Sequence, residues 1–208
     1  MLPTWVNARR CDIVETPLGR MLATTDQKPD PLTAFRIARR WFLAGRRIEM
    51  RELAAELGVN RATLFRWVGN RDDLIAEILW SLAEPTLAKA IEDAPGHGGR
   101  RIATAIGSFA RLIDQTAFFR DFLRREPERA LRVLTTRAGT VQTRLVTAVE
   151  TLLREEITAG HLDPPLPPHD LAYLIVRIAE SFLYADIITG EQIDIARTKQ
   201  AIAALLRS

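Results

Sequence analysis

The chain has 208 residues, 47% hydrophobic and 26% charged, with 29 Lys plus Arg against 26 Asp plus Glu and a formal net charge of +3. That balance suits a soluble globular protein with a buried core; no apolar run approaches the ~20 residues of a membrane span, and Met1 to Arg10 lacks the apolar stretch of a secretory signal. The single cysteine, Cys11, closes no internal disulfide and fits a reducing, cytoplasmic setting.

Residues 1–29 keep no steady period and hold Pro3, Pro17, Gly19 and Pro29, so they read as a loosely ordered arm. Regular structure begins at Asp30-Pro31, an N-cap residue followed by proline at the first helical position. Leu32, Phe35, Ile37, Ala38, Trp41 and Phe42 recur at helical spacing, and Gly45 ends that helix. Residues 50–57 form the next, with Leu53, Ala54 and Leu57 on one face. After Gly58-Val59, Asn60 opens a helix over residues 61–68 that Gly69 stops. Asn70 caps a fourth, with Asp72 and Asp73 in its first turn, where the helix dipole favours negative charge. Pro85 ends or kinks it.

The remainder also has helical period. Residues 100–114 are apolar at Ile102, Ile106, Phe109, Leu112 and Ile113. Two short helices, 118–124 and 126–134, are split before Pro127. A long helix over 140–159 stops at Gly160, and the proline-rich run 161–168 is a connecting loop. A second long helix covers 169–189, and 193–206 closes the chain. No strand alternation competes anywhere, and no internal repeat is present. The fold class is all-α: a helix-turn-helix domain over 30–75, then an all-helical domain over 76–208.

The chemistry sits between Met50 and Arg71. A helix-turn-helix needs two short helices at a steep angle, a tight turn and a buried seam. Gly58 supplies the turn, and small Ala54 lets the helices approach. Val59 and Leu64 plug the space beneath them. Asn60 caps the second helix, whose outward side chains are then Asn60, Arg61, Ala62, Thr63, Arg66 and Trp67, types that read base edges or hold phosphates. Phe65 and Val68 read as core. Trp67 has two readings, inter-helix packing or a sugar-phosphate contact. Between Arg36 and Arg71 nine arginines face only Glu49, Glu52 and Glu56. Such an excess is the footprint of phosphate contact or, more plainly, a solvated face.

The run from Arg51 to Leu74, with its Leu57-Gly-Val, Thr63-Leu-Phe and Asp73-Leu elements, resembles the signature of the tetracycline-repressor (TetR) family. The resemblance covers about residues 30–82. It implies a three-helix DNA-binding unit ahead of an all-helical ligand domain, and a homodimer on double-stranded, palindromic operator DNA. By position, Asn60, Arg61, Ala62 and Thr63 would approach bases, Arg66 and Trp67 the groove wall, and Arg71 a phosphate. Three residues depart from the pattern. Phe65 replaces a tyrosine and loses its hydroxyl, Met50 stands where Ser or Thr caps, and Arg71 replaces lysine with a bidentate fork. Within the family, Thr16-Pro-Leu-Gly-Arg20 and Phe65-Arg-Trp67 resemble actinobacterial regulators of quorum-signal lactone degradation (QsdR-like). That likeness would imply an acyl-homoserine lactone, γ-lactone or fatty acyl effector.

The family likeness also implies a small-molecule effector in a cavity of the C-terminal half. Candidate lining residues are Phe109, Ile113, Phe118, Phe119, Phe122, Leu145, Tyr173 and Val176, each of which would serve equally as plain core. Arg177 and Glu180 interrupt an apolar helix; they read as pocket polar groups, an inter-helix ion pair or interface charges. The helices over 140–159 and 169–189 are expected to form the four-helix bundle of the dimer. Enzymatic chemistry is not expected. Gly96-His-Gly-Gly99 lacks the Gly-Lys-Ser/Thr of a phosphate loop, and no Ser/His/Asp or Cys/His set stands out. His161, Asp163, His169 and Asp170 read as a rigid connector rather than a metal site; no cofactor is expected. A ligand-free architectural DNA-binding dimer is the alternative.

Overall fold

The computed structural model describes residues 29–136 and 140–207. The arm expected over 1–29, with the Thr16 to Arg20 run, lies outside them except for Pro29. Among the described residues are eleven α-helices and no strand. They are α1 (Pro31–Leu43), α2 (Met50–Glu56), α3 (Arg61–Val68), α4 (Arg71–Glu92), α5 (Gly98–Asp114), α6 (Ala117–Arg125), α7 (Pro127–Thr135), α8 (Thr140–Thr158), α9 (Pro168–Leu183), α10 (Ala185–Ile188) and α11 (Ile195–Leu205). None is long and apolar enough to cross a membrane.

Local chemistry sets the first four helix starts. The Asp30 side chain accepts from the Thr33 N–H at 2.6 Å, ahead of Pro31. Asn70 accepts from the N–H groups of Asp72 and Asp73 while the Asp73 carboxylate takes the Asn70 N–H, a reciprocal capping box. Of these four, α2 starts without a side-chain cap, at Glu49. This agrees with the absence of Ser or Thr there.

Two apolar cores organise the packing. The first joins α1–α3 and the start of α4 to α6, α7 and the end of α9, through residues such as Leu64, Ile75, Phe122, Leu123 and Val133. The second gathers the later part of α4 with α5, α8, α9 and α11 around Leu87, Ile102, Leu153, Ile175 and Ile202. The division expected between residues 75 and 76 falls inside α4, and the first core extends to both sides of it.

Three elements differ from the sequence expectation, each for a tertiary reason. α4 continues through Pro85 for 22 residues. The proline forfeits one backbone bond, but Ala83, Leu87 and Ala90 beyond and before it are buried, which outweighs that loss. The helix expected over 169–189 is broken at Tyr184. There Arg120 of α6 donates to the Leu183 carbonyl at 3.2 and 3.1 Å, occupying an acceptor that a continuing helix would use. α5 begins at Gly98 because the Glu156 carboxylate at the end of α8 accepts the Gly98 N–H and the Arg101 guanidinium.

Candidate functional site

The helix-turn-helix is built on α2 and α3. Gly58 takes φ +64, a left-handed conformation that an L side chain adopts with strain. The chain then returns so that the Val59 N–H reaches the Ala54 carbonyl at 3.0 Å. Leu53 and Leu64, both fully buried, close the seam. Asn60 caps α3 through a 2.7 Å bond from the Thr63 N–H. Asn60, Arg61, Ala62 and Arg66 are exposed, while Thr63 and Trp67 are half-buried. Trp67 packs against the first core.

Phe65, expected in the core, is 38% exposed. It lies one turn after Arg61 on the outward face, and the Arg61 guanidinium sits 5.4 Å from its ring centre. Its spacing from Arg61 and Arg66 placed it on that face already, against its apolar character. Val68 does pack against the core.

Ion pairing sorts the arginines. Arg40, Arg46 and Arg47 pair with Glu56, Glu52 and Glu49, which uses all three glutamates of the unit. Arg46 also lies over the Trp41 ring. Arg36, Arg39, Arg51, Arg61 and Arg66 form no ion pair among the described residues. The positive excess is thus left on α1–α3, where it includes the exposed face of α3.

Arg71, expected to grip a phosphate, is turned inward. Its guanidinium makes a two-pronged pair with Glu126, at 2.9 and 2.6 Å, and its side chain is only 13% exposed. Arg129 also binds Glu126, and Arg129 and Arg132 both bind Asp72. Two successive residues at the start of α4 are therefore tied to the Glu126–Pro127 junction and to α7. Four partly buried charges pair with one another there, although Arg71 Nε is itself buried without a hydrogen-bond partner, and a phosphate would have to displace Glu126 to reach the Arg71 Nη groups.

A second site opens between α4, α5, α6, α8 and α9, a cavity of about 210 Å³. Phe109, Ile113, Phe118, Phe119, Leu145, Val176 and Glu180 line it, together with residues the sequence reading did not assign to a cavity, among them Leu82, Ala83, Leu87 and Ile106. Three expected lining residues do not. Phe122 faces the other side of α6, edge-on to Phe42 at 5.3 Å. Tyr173 points outward and is 47% exposed. Arg177 is half-exposed outside the cavity, where it holds Glu180 Oε2 at 2.6 Å. The 3.6-residue period identified α9 as amphipathic but left open which neighbour each of its faces meets.

Polar groups in the lining are few. The Thr86 and Thr116 hydroxyls donate to the carbonyls of Leu82 and Leu112 within their own turns. Burial, with Glu180 beside it, pushes the Tyr184 hydroxyl well above the usual tyrosine range. Burial likewise pushes the Glu180 carboxyl up to about 7, against the opposing pull of Arg177 and of the Gln142 amide. Phe118 belongs to both sites' surroundings, since it lines the cavity and meets Phe42 of α1 at 5.8 Å.

His161 and His169, grouped in the sequence reading, have separate partners. His161 stacks on His97 at 4.6 Å and faces Glu156, whereas His169 is 2.8 Å from Glu150. On the outer faces of α8 and α9, Thr143, Thr147, Thr151, Tyr173 and Leu174 are exposed.

Comparison with known proteins agrees with this arrangement. The family profile described as "Tetracyclin repressor-like, C-terminal domain" matches residues 97–207. The solved structure of the transcriptional repressor QsdR of the TetR family from R. erythropolis superposes with a TM-score of 0.78 at 32% identity, covering 85% of this chain and 93% of that one. The TetR-family repressor AlkX from Dietzia sp. strain DQ12-45-1b, implicated in biodegradation of n-alkanes, superposes at 0.58 with 25% identity, covering 86% and 95%. FadR from Bacillus subtilis, solved with stearoyl-CoA, shares the fold at 0.54 and 13% identity, covering 85% and 97%. Among curated protein sequences none matches significantly.

Proposed function

The chain belongs to the TetR family of DNA-binding transcriptional regulators, which are not enzymes, and from that premise we propose that it is a repressor released from its operator when a small, largely apolar effector fills the cavity between α4, α5, α6, α8 and α9. The cavity carries the proposal. The space measures about 210 Å³ and is lined almost wholly by apolar side chains. An apolar cavity of ~150 Å³ already admits benzene. A concave, largely apolar space of that size with a few polar groups is what a small-molecule site requires, and this supports occupancy by a ligand.

In this reading Asn60, Arg61, Ala62, Thr63 and Arg66 face the major groove from α3. The half-buried Trp67 meets the groove wall with one edge, and Phe65 presents its ring beside Arg61. Operator DNA is a palindrome read by a homodimer in the cytoplasm. Its four-helix interface is formed by α8 and α9, on which Tyr173 and Leu174 are exposed. An acyl-homoserine lactone, a γ-lactone or a fatty acyl compound fits the lining, as does the alkane chemistry associated with AlkX. Phe118 and Phe119 couple the sites: a ligand that displaces them moves α6 against Phe42 of the DNA-binding unit. The effector acts through its differential affinity for the free and DNA-bound arrangements, a coupling of about 1–3 kcal/mol.

The test is operator release. A duplex selected from a random pool by the purified protein is titrated in a mobility-shift assay with lactones, fatty acyl compounds and alkanes. Release by one such class, with DNA weakening its binding by the same factor, is the expected result. Tight operator binding that no apolar ligand relieves would leave a ligand-free architectural dimer.

A further inference from the structure

One carboxyl interrupts an otherwise apolar lining. Glu180 stands on α9 one turn before the break at Tyr184 and is 6% exposed. Its two oxygens have different surroundings. Oε2 accepts the Arg177 Nη1 bond at 2.6 Å, whereas Oε1 is buried and has no hydrogen-bond partner. The arginine stays outside the cavity, half-exposed, and also reaches the Thr135 carbonyl at 3.4 Å. Charge compensation therefore comes from one side, and the oxygen left over belongs to a residue that lines the ligand space.

Buried polar atoms in native proteins are almost always bonded; Oε1 accepts no bond of ordinary geometry even though the Gln142 amide faces this carboxyl, so it is open to a partner from the cavity. The Thr86 and Thr116 hydroxyls have already spent their protons on backbone carbonyls. With Oε2 fixed as an acceptor by Arg177, a proton on this carboxyl resides on Oε1 and is free to be donated. Burial raises the carboxyl to about 7, so near neutrality that proton is present for a large share of the time.

We propose that Glu180 is the polar anchor of the effector cavity, its Oε1 donating a hydrogen bond to the carbonyl oxygen of an uncharged, otherwise apolar molecule such as a lactone, ester or amide. The inference rests on the cavity being the effector site. Charged head groups fit less well. A carboxylate places a second acid beside Glu180, where the two must share one proton. An ammonium group comes close to the Arg177 guanidinium and finds few other acceptors for its remaining N–H bonds. The groups facing Glu180 are Arg177 on its own helix, Tyr184 beyond the helix end, and the neutral Gln142 on α8. Arg120 of α6 bears on Tyr184. Guanidinium groups keep their charge throughout the neutral range, and the Tyr184 hydroxyl is raised away from it, which leaves Glu180 as the group whose state changes there.

The experiment uses the full chain and three ten-carbon probes that differ at the head: γ-decalactone, decanoate and decylamine. Affinities are measured by calorimetry at pH 6.0 and 8.5 for the wild type and for Glu180→Gln. The lactone should bind at least about tenfold tighter than either ion at pH 6.0. Its affinity should fall by up to about thirtyfold at pH 8.5, as the proton is lost from a carboxyl titrating at about 7. Glu180→Gln keeps an N–H donor at either pH and should lose that pH dependence. Equal affinity for all three heads, preference for either ion, or a lactone affinity indifferent to pH overturns the anchor while leaving an apolar effector site in place. If none of the probes binds, and none releases operator DNA, the effector reading itself falls with it. Should Glu180→Gln fail to fold, the wild-type head-group series and pH profile decide alone.

Discussion

Replacing Arg71 with alanine separates the phosphate contact that the sequence led one to expect from the ion pair that the fold forms. In the folded chain Arg71 donates two charge-assisted bonds to Glu126, and the two side chains are only 13% and 16% exposed. A bond to a charged group contributes about 1.5–3 kcal/mol net, and desolvation of the partly buried pair offsets part of what two such bonds would give. Glu126 would keep Arg129 as a partner after the change, so little of the penalty of an abandoned buried charge is incurred. The loss should be about 2 kcal/mol. For a chain near 200 residues that corresponds to a Tm lowered by ~4–8 °C. A phosphate contact would instead show in DNA binding, since each neutralised phosphate contributes about 0.9 to the slope of log K against log salt. Thermal unfolding and mobility shifts at several salt concentrations read both quantities. We expect Arg71→Ala to lower Tm and leave the salt slope unchanged. An unaltered Tm with a slope reduced by about one would mean that Arg71 leaves Glu126 for the operator, and the reasoning from burial would be refuted. A double-mutant cycle with Glu126→Ala should return a coupling energy of similar size to the single change.

Arg61→Ala, by contrast, should cost roughly 1–3 kcal/mol on the cognate operator and relax preference at one base pair, as read on a panel of operator variants. Ala179→Phe places a ring in the cavity that Ala179 lines; operator affinity should be kept and release by effector lost in the mobility-shift titration. Gly69 combines φ +68 with ψ −151, and a Cβ there would stand 2.5 Å from Asp73 Oδ2 in the capping box. Gly69→Ala should therefore destabilise the chain by about 1–3 kcal/mol in denaturant unfolding. Burial raises the Glu156 carboxyl, but the Gly98 N–H and Arg101 outweigh it and hold the group below its ordinary value of 4.5. Its contribution to stability is thus complete above pH 4.5 and lost as pH falls through the lowered value. Glu156→Gln should flatten that part of an acid-unfolding curve.

Much of the DNA-binding unit was legible in the sequence because its determinants are short-range. Asp30, Asn60 and Asn70 act on amides two or three residues away, and Gly58 and Gly69 set the backbone at their own positions. Ala54, Leu57 and Leu64 recur at the period that buries one face. The all-helical class followed from the same period along the rest of the chain. What the sequence could not decide is which distant partner a long or amphipathic side chain meets. Arg71 carries the charge and position of a phosphate contact, yet Glu126, 55 residues on, takes it. Phe122 is as apolar as Phe119, and Tyr173 stands among apolar residues as Val176 does, but α6 and α9 each have more than one face, and packing against α1 claims Phe122 while Tyr173 is left outward. Arg120 ends α9 from another helix altogether. Capping and periodicity are properties of a few consecutive residues, whereas a cavity or an ion-pair latch exists only once several helices have settled against one another, and only the tertiary structure decides those.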